Sequence, residues 1–228
     1  MHVLLFLPAL LLNLNYHFGL IKTLLSMAIV AVAQLVIGLK WIMAYPDAYF
    51  AKVFEFGRGF MYSESLNWQF LSEAVMTSKG FGNFLLAVHL FLLLAFLFGK
   101  WTHPGRGLGA WLKELRLNEL GNTTARLLSP RFVALSMFAC NMIGILCLRS
   151  MHSQFYSWYQ QTMPLILLYA DGIPTKYRVG IYCFMEYLAN RLPRHIFAFG
   201  FLLGHTTLIW VSFYRTQYPS PYLAEKKN

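Results

Sequence analysis

LIKTLLSMAIVAVAQLVIGLKWIMA, residues 20–44, decides the fold. A helix needs about 20 mostly apolar residues to cross the hydrocarbon of a bilayer. This stretch is interrupted only by Lys22 and Lys40 near its two ends, where a long side chain can carry its charge back to the interface. Working outward, Val3 to Phe18 reads as a short first span and Phe81 to Gly99 as a clean one. Phe132 to Leu148 is slightly short, and Ile196 to Tyr214 closes the set. Between them lie two tighter apolar pieces, Met163 to Ala170 and Tyr177 to Asn190, parted by the turn-like Asp171-Gly-Ile-Pro174. The expectation is an all-α, polytopic membrane protein of about seven transmembrane helices, a single transmembrane domain over residues 1–228. No internal repeat is visible.

Composition agrees. Of the 228 residues 57% are hydrophobic and only 12% charged, about half the charged fraction of a soluble domain. A net charge of +10 raises the question of nucleic acid. The basic residues, however, sit in short clusters between apolar runs and form no single stripe, which excludes a nucleic-acid partner and makes them topology signals. Cys140, Cys147 and Cys183 all lie in apolar stretches without ligand-like spacing and read as inert buried thiols. The start of the chain lacks a basic n-region and a small-x-small cleavage site, so a signal peptide is not expected. It opens almost inside an apolar segment, and the expectation is that an upstream part is missing.

Lys and Arg in short loops mark the cytosolic side. The loop 100–131 carries Lys100, Arg106, Lys113, Arg116, Arg126 and Arg131, and the tail 215–228 carries Arg215, Lys226 and Lys227; both are expected to be cytosolic. The loop 45–80 balances Lys52, Arg58 and Lys79 against Asp47, Glu55, Glu64 and Glu73 and is placed in the lumen. Counting spans puts Arg149 to Thr162 on that same face. Asn122-Thr-Thr124 is a glycosylation acceptor by pattern, but this topology keeps it cytosolic and unmodified.

The segment richest in chemistry is Arg149-Ser-Met-His152-Ser-Gln154-Phe-Tyr156-Ser-Trp158-Tyr159. Continued as helix, it sets Arg149, His152, Tyr156 and Tyr159 on one stripe at i, i+3, i+7 and i+10. Arg suits a phosphate gripped by two parallel hydrogen bonds, and His adds a second donor. The same residues also fit an interfacial aromatic belt with a snorkelling Arg. Glu186, with Asn190 four residues on, places a carboxylate inside a membrane segment, which marks a functional site unless Arg191 or Arg194 pairs with it structurally. Gly57-Arg58-Gly-Phe60 and Asn67-Trp68-Gln-Phe70 read equally as an amphipathic interfacial segment or as part of a site. His89, alone in mid-span, is taken to satisfy a neighbouring backbone group. The chain carries no metal spacing, nucleophile elbow, P-loop or dinucleotide fingerprint, and no cofactor is expected.

Asn141-Met-Ile-Gly-Ile145 running into Arg149-Ser-Met-His152-Ser-Gln-Phe-Tyr156-Ser-Trp-Tyr159, with Pro164 beyond, resembles the dolichyl-phosphate-mannose:Man5GlcNAc2-diphosphodolichol α-1,3-mannosyltransferases, glycosyltransferase family 58. Val3-Leu-Leu-Phe-Leu-Pro8, Gly57-Arg58 with Asn67-Trp68-x-Phe70, and Glu186 with Asn190 and Pro193 support the match in the family's order. Ala189 stands where the family often has an aromatic residue, and Lys226-Lys227 is one position out of register for a dilysine retrieval signal.

The resemblance implies the C-terminal portion of a GT-C type enzyme of the endoplasmic reticulum membrane, multi-pass, with its active face in the lumen. Its partners would be dolichyl-phosphate mannose as donor, a dolichol-diphosphate-linked oligosaccharide as acceptor, and the lipid bilayer. It would add the first luminal α-1,3-linked mannose in N-glycan precursor assembly, inverting the anomeric centre without a metal. On this reading Arg149 and His152 hold the donor phosphate. Tyr156, Tyr159, Gln154, Trp158, Arg58, Asn67, Trp68, Glu186 and Asn190 line the luminal groove. The family's acidic luminal loop, expected to supply the base, precedes the first residue of this chain, so the polypeptide alone is expected to be inactive. The alternative is a non-catalytic scaffold or transporter-like protein with Glu186 and His89 in a substrate pathway, which would call for interrupted helices in an internal repeat.

Overall fold

The structure is a computed structural model that describes residues 2–53, 62, 65–102, 109, 127–152, 155–156, 160–191 and 195–221. The described chain is helical: α1 Leu7–Phe18, α2 Leu20–Ala44, α3 Pro46–Val53, α4 Glu73–Thr77, α5 Lys79–Phe96, α6 Pro130–Leu146, α7 Thr162–Leu168, α8 Thr175–Ala189 and α9 His195–Tyr214. A short 3-10 segment, His2–Phe6, leads into α1, and α5 runs on through a π turn to Trp101. Among the described residues no sheet forms; Ala170 and Thr216 make an isolated antiparallel bridge.

Local sequence explains the element ends. Pro8 sits in the first turn of α1 and Pro130 in that of α6, where the missing N–H costs nothing. The side chains of Ser78 and Ser129 cap α5 and α6 by accepting from the amides of Phe81 (3.1 Å) and Phe132 (3.4 Å). Between α1 and α2 the chain reverses at Gly19, whose φ of 85° only glycine adopts without strain.

Three helices are long and apolar enough to cross a membrane: Leu20–Ala44, Lys79–Trp101 and Ile196–Tyr214. Leu4–Phe18 and Pro130–Leu146 are apolar but shorter. The Met163 and Tyr177 pieces are helical too, but at 1.5 Å per residue α7 rises only about 10 Å. Hardly any of α2 is buried by the rest of the chain, and its apolar side chains stand outward as a lipid-facing surface requires.

The core is organised on α6. Phe132, Leu135, Ala139, Cys140, Met142, Ile143 and Ile145 are all buried, and α1, α5, α7 and α9 pack around them. Two polar clasps cross this interior: Asn13 Nδ2 donates to Ser136 Oγ at 3.0 Å, and Asn141 Nδ2 to Thr162 Oγ1 at 3.4 Å. Small residues let neighbours close in. Gly144 faces Leu5, whose Cδ2 would lie 2.7 Å from an added Cβ, and Gly204 of α9 receives the Met185 thioether of α8. Gly204→Val should push α8 off α9 and lower stability by about 1–3 kcal/mol, the usual cost of overpacking. A thermal midpoint in detergent unchanged from wild type would refute that packing.

The loops gather at two opposite ends. At one, Arg131 lies 4.0 Å from Asp171, the Asp171 amide donates to the Arg215 carbonyl at 2.5 Å, and Ser129 N donates to Pro221 O. The end of the 100–131 loop and the start of the 215–228 tail therefore meet. At the other end, residues 65–68 lie against residues 148–151.

Candidate functional site

The site is built where α6 stops. The helix ends at Leu146, and residues 147–152 leave it without helical geometry. The continuous helix needed for a stripe of Arg149, His152, Tyr156 and Tyr159 is therefore not formed. A remote loop takes the place of the next turn. Asn67 Nδ2 and Trp68 Nε1 both donate to the Leu148 carbonyl, at 2.5 and 2.8 Å, while Leu66 N donates to Met151 O at 2.7 Å. Ser65 Oγ completes the latch by donating to Asn67 Oδ1 at 2.8 Å. Trp68 has φ +61°, a conformation that a bulky residue holds only where its surroundings insist. Here the insistence comes from the Leu148 bond and from the Phe81 ring, 5.3 Å away edge to face.

This latch fixes the residue next to Leu148. The Arg149 guanidinium lies along the first turn of α5, with Nη1 3.7 Å from where a Cβ on Gly82 would stand. The N-terminus of a helix carries partial positive charge and unpaired N–H groups. Arg149 and the start of α5, with Lys79 exposed beside them, therefore concentrate positive potential on one spot. Three residues on, the His152 ring stands edge-on to Phe155 with centroids 5.8 Å apart.

A second cluster forms around Glu186. The Tyr156 phenol donates to Glu186 Oε1 at 2.6 Å, and Gln160 Nε2 donates to the same oxygen at 2.8 Å. Gln160 Nε2 also reaches the Tyr182 hydroxyl at 3.4 Å. Burial, reinforced by the hydrogen bond to Glu186 and by its charge, holds the Tyr156 phenol above its ordinary range, so it remains a donor. The structural ion pair that Arg191 offered Glu186 does not form. The Arg191 guanidinium instead lies 5.3 Å from the centre of the Tyr187 ring.

The structure thus brings Tyr156 to Glu186, and Asn67 and Trp68 to the backbone beside Arg149. Asn190 serves its own helix, donating from Nδ2 to the Glu186 carbonyl at 2.7 Å. Arg58, Gln154, Trp158, Tyr159 and the Arg194 alternative lie outside the described residues, as does Asn122. Gln160 and Tyr182 were missed from the sequence, although each sits four residues from a member of the cluster, at helical spacing from Tyr156 and Glu186 respectively. His89 Nε2 is buried without a hydrogen-bond partner among the described residues, so it does not satisfy a neighbouring backbone group through that atom. An apolar cleft of about 330 Å³ between α1, α2 and α5, lined by Leu12, Leu24, Leu94 and Trp101, lies away from both clusters.

Apolar helices of spanning length around a helical core define an α-helical, multi-pass membrane protein. Within that class, residues 1–220 match the family model described as ALG3 protein, and the chain belongs to that family. It is 34% identical over 193 residues to the probable Dol-P-Man:Man(5)GlcNAc(2)-PP-Dol alpha-1,3-mannosyltransferase of Dictyostelium discoideum, covering 85% of this chain and 42% of the relative. To the Dol-P-Man:Man(5)GlcNAc(2)-PP-Dol alpha-1,3-mannosyltransferase of Arabidopsis thaliana it is 34% identical over 230 residues, 97% of this chain and 52% of that protein. The Mus musculus protein of the same name is 38% identical over 167 residues, 73% of this chain and 37% of the relative. The chain thus spans about half the length of these relatives or less, corresponding to their C-terminal part. No solved structure matches it.

Proposed function

We propose that this chain forms the donor-binding part of an endoplasmic reticulum mannosyltransferase. The enzyme moves mannose from dolichyl-phosphate mannose onto lipid-linked Man5GlcNAc2 in α-1,3 linkage, at the luminal face of the membrane. The names of its relatives support the reaction. The observation in this chain that carries it is Arg149 laid along the N-terminal turn of α5, where guanidinium and helix end act together on an anion.

The chemistry follows from what such a reaction needs. An acceptor hydroxyl attacks the anomeric carbon, the bond from that carbon to the phosphate oxygen breaks, and dolichyl phosphate leaves with the electron pair. A base takes the hydroxyl proton. Charge grows on the departing phosphate, so a fixed cation aimed at it lowers the barrier more than it stabilises the bound ground state. Arg149 is assigned that role, with His152 as second donor. The latch of Asn67 and Trp68 holds Leu148, and through it the backbone from which Arg149 projects.

Donor binding tests the reading directly. A photoactivatable dolichyl-phosphate mannose should label wild-type protein in microsomes, and unlabelled donor should compete. Labelling should fall at least about tenfold in Arg149→Ala, as expected when a charge-assisted bidentate contact is lost. Equal labelling of wild type and variant would remove Arg149 from the donor site.

A further inference from the structure

We infer that Glu186, Tyr156, Gln160 and Tyr182 form a subsite for a neutral hexose, in which the outer carboxylate oxygen of Glu186 accepts hydrogen bonds from sugar hydroxyls. This rests on the glycosyl-transfer reading above and assigns a ligand to a cluster that the phosphate chemistry leaves unused.

The hydrogen bonding is lopsided. Glu186 Oε1 receives both the Tyr156 hydroxyl and the Gln160 amide, whereas Oε2 has no hydrogen-bond partner among the described residues. Glu186 is half-buried, so the free oxygen is neither sealed in the core nor loose in solvent. Its backbone rides on α8, whose Met185 and Leu188 are buried against the bundle. A carboxylate pinned through one oxygen and open at the other is an oriented acceptor.

The rest of the cluster points to the same ligand. Tyr156 spends its single proton on Glu186. Gln160 spends Nε2 on Glu186 and Tyr182, leaving its carbonyl oxygen to accept. The subsite is therefore rich in acceptors and carries a negative charge. Such a surface repels phosphate and suits a polyol, every hydroxyl of which can donate. A glycosyl phosphate has one anionic end and one neutral polyhydroxyl end. Arg149 meets the chemistry of the first and the Glu186 cluster that of the second.

The hexose can belong to the donor or to the acceptor glycan, and kinetics with the full gene product separate them. The probes are monodeoxy analogues of the donor mannose and of the terminal acceptor mannose, tested on wild type, Glu186→Gln and Glu186→Ala. The KM for one of the two substrates should rise about 10-fold or more in both variants, the weight of a hydrogen bond to a charged acceptor. One deoxy analogue in that substrate's series should lose the same factor with wild type and nothing further with Glu186→Ala, the non-additivity of a shared contact. A donor-series hit assigns the donor sugar and an acceptor-series hit the acceptor. Tyr156→Phe, which removes one hydroxyl and leaves the helix untouched, should raise the same KM by a smaller factor and serves if the Glu186 variants do not fold. Loss of kcat at unchanged KM would make Glu186 a proton-transfer group and overturn the inference, as would kinetics equal to wild type. Absence of transfer by wild type would instead overturn the mannosyl-transfer reading itself.

Discussion

Arg149→Ala should lower kcat/KM for mannosyl transfer by about 10²- to 10³-fold, the range found when one preorganised donor to developing negative charge is removed. At 1.36 kcal/mol per tenfold this corresponds to about 3–4 kcal/mol of lost transition-state stabilisation. Arg149→Lys keeps the charge but not the planar fork, and a lysine cannot make two parallel hydrogen bonds to one phosphate. It should fall between, roughly tenfold below wild type by the weight of one charge-assisted bond. The order Arg above Lys above Ala is the signature of phosphate binding. An interfacial Arg that merely snorkels would tolerate Lys fully. Activity of Arg149→Lys equal to wild type, with Arg149→Ala within a few-fold, would return Arg149 to the membrane belt. Thermal midpoints of the three proteins check that folding is unchanged.

Trp68→Ala should destabilise the protein by about 2–3 kcal/mol, less than truncation of a fully buried Trp because Trp68 is half-buried. The loss has two sources: the indole bond to the Leu148 carbonyl, and the ring contacts with Phe81 at 5.3 Å and Phe70 at 5.9 Å. For a chain of this length each kcal/mol moves the midpoint by roughly 2–4 °C, so a fall of about 4–12 °C is expected. The backbone adds a sharper test. Glycine ordinarily destabilises relative to alanine, but at φ +61° it relieves a cost of about 1–2 kcal/mol that any side chain bears. Trp68→Gly should therefore be at least as stable as Trp68→Ala. The reverse order would mean that Trp68 does not hold this conformation. Both variants should also lose transfer activity, because the latch sets the position of Arg149.

Much of the architecture was legible. The run from Leu20 to Ala44 is α2 with those same ends, and Phe81 to Gly99 lies within the helix that spans Lys79–Trp101. These segments are read from local composition, and bilayer thickness alone sets their length. The end of α6 was not legible, since Asn67 and Trp68 reach Leu148 from some 80 residues away. Nothing local around Leu148 announces a partner so distant, and the helical stripe drawn through Arg149 and Tyr159 failed for that reason.

Glu186 teaches the complementary point. Its chemistry was conspicuous as a carboxylate in an apolar helix, and the nearest cations in sequence were offered as partners. Packing of α8 against α7 and α9 turned it toward the segment after α6, where Tyr156 and Gln160 wait one helical turn apart. That pairing depends on how helices dock, which periodicity does not encode. The facing pairs, Tyr156 with Gln160 and Tyr182 with Glu186, were nonetheless present at i, i+4 spacing.

The most direct measurement is mannose transfer itself. Microsomes from cells lacking their own α-1,3 step, carrying the full product of this gene, are given dolichyl-phosphate mannose labelled in the sugar and Man5GlcNAc2 lipid. The expected product is a lipid-linked oligosaccharide longer by one mannose, whose new residue is released by an α-1,3-specific mannosidase and whose formation is lost in Arg149→Ala. Undiminished donor and unextended acceptor, with the protein folded in the membrane, would contradict the mannosyl-transfer reading.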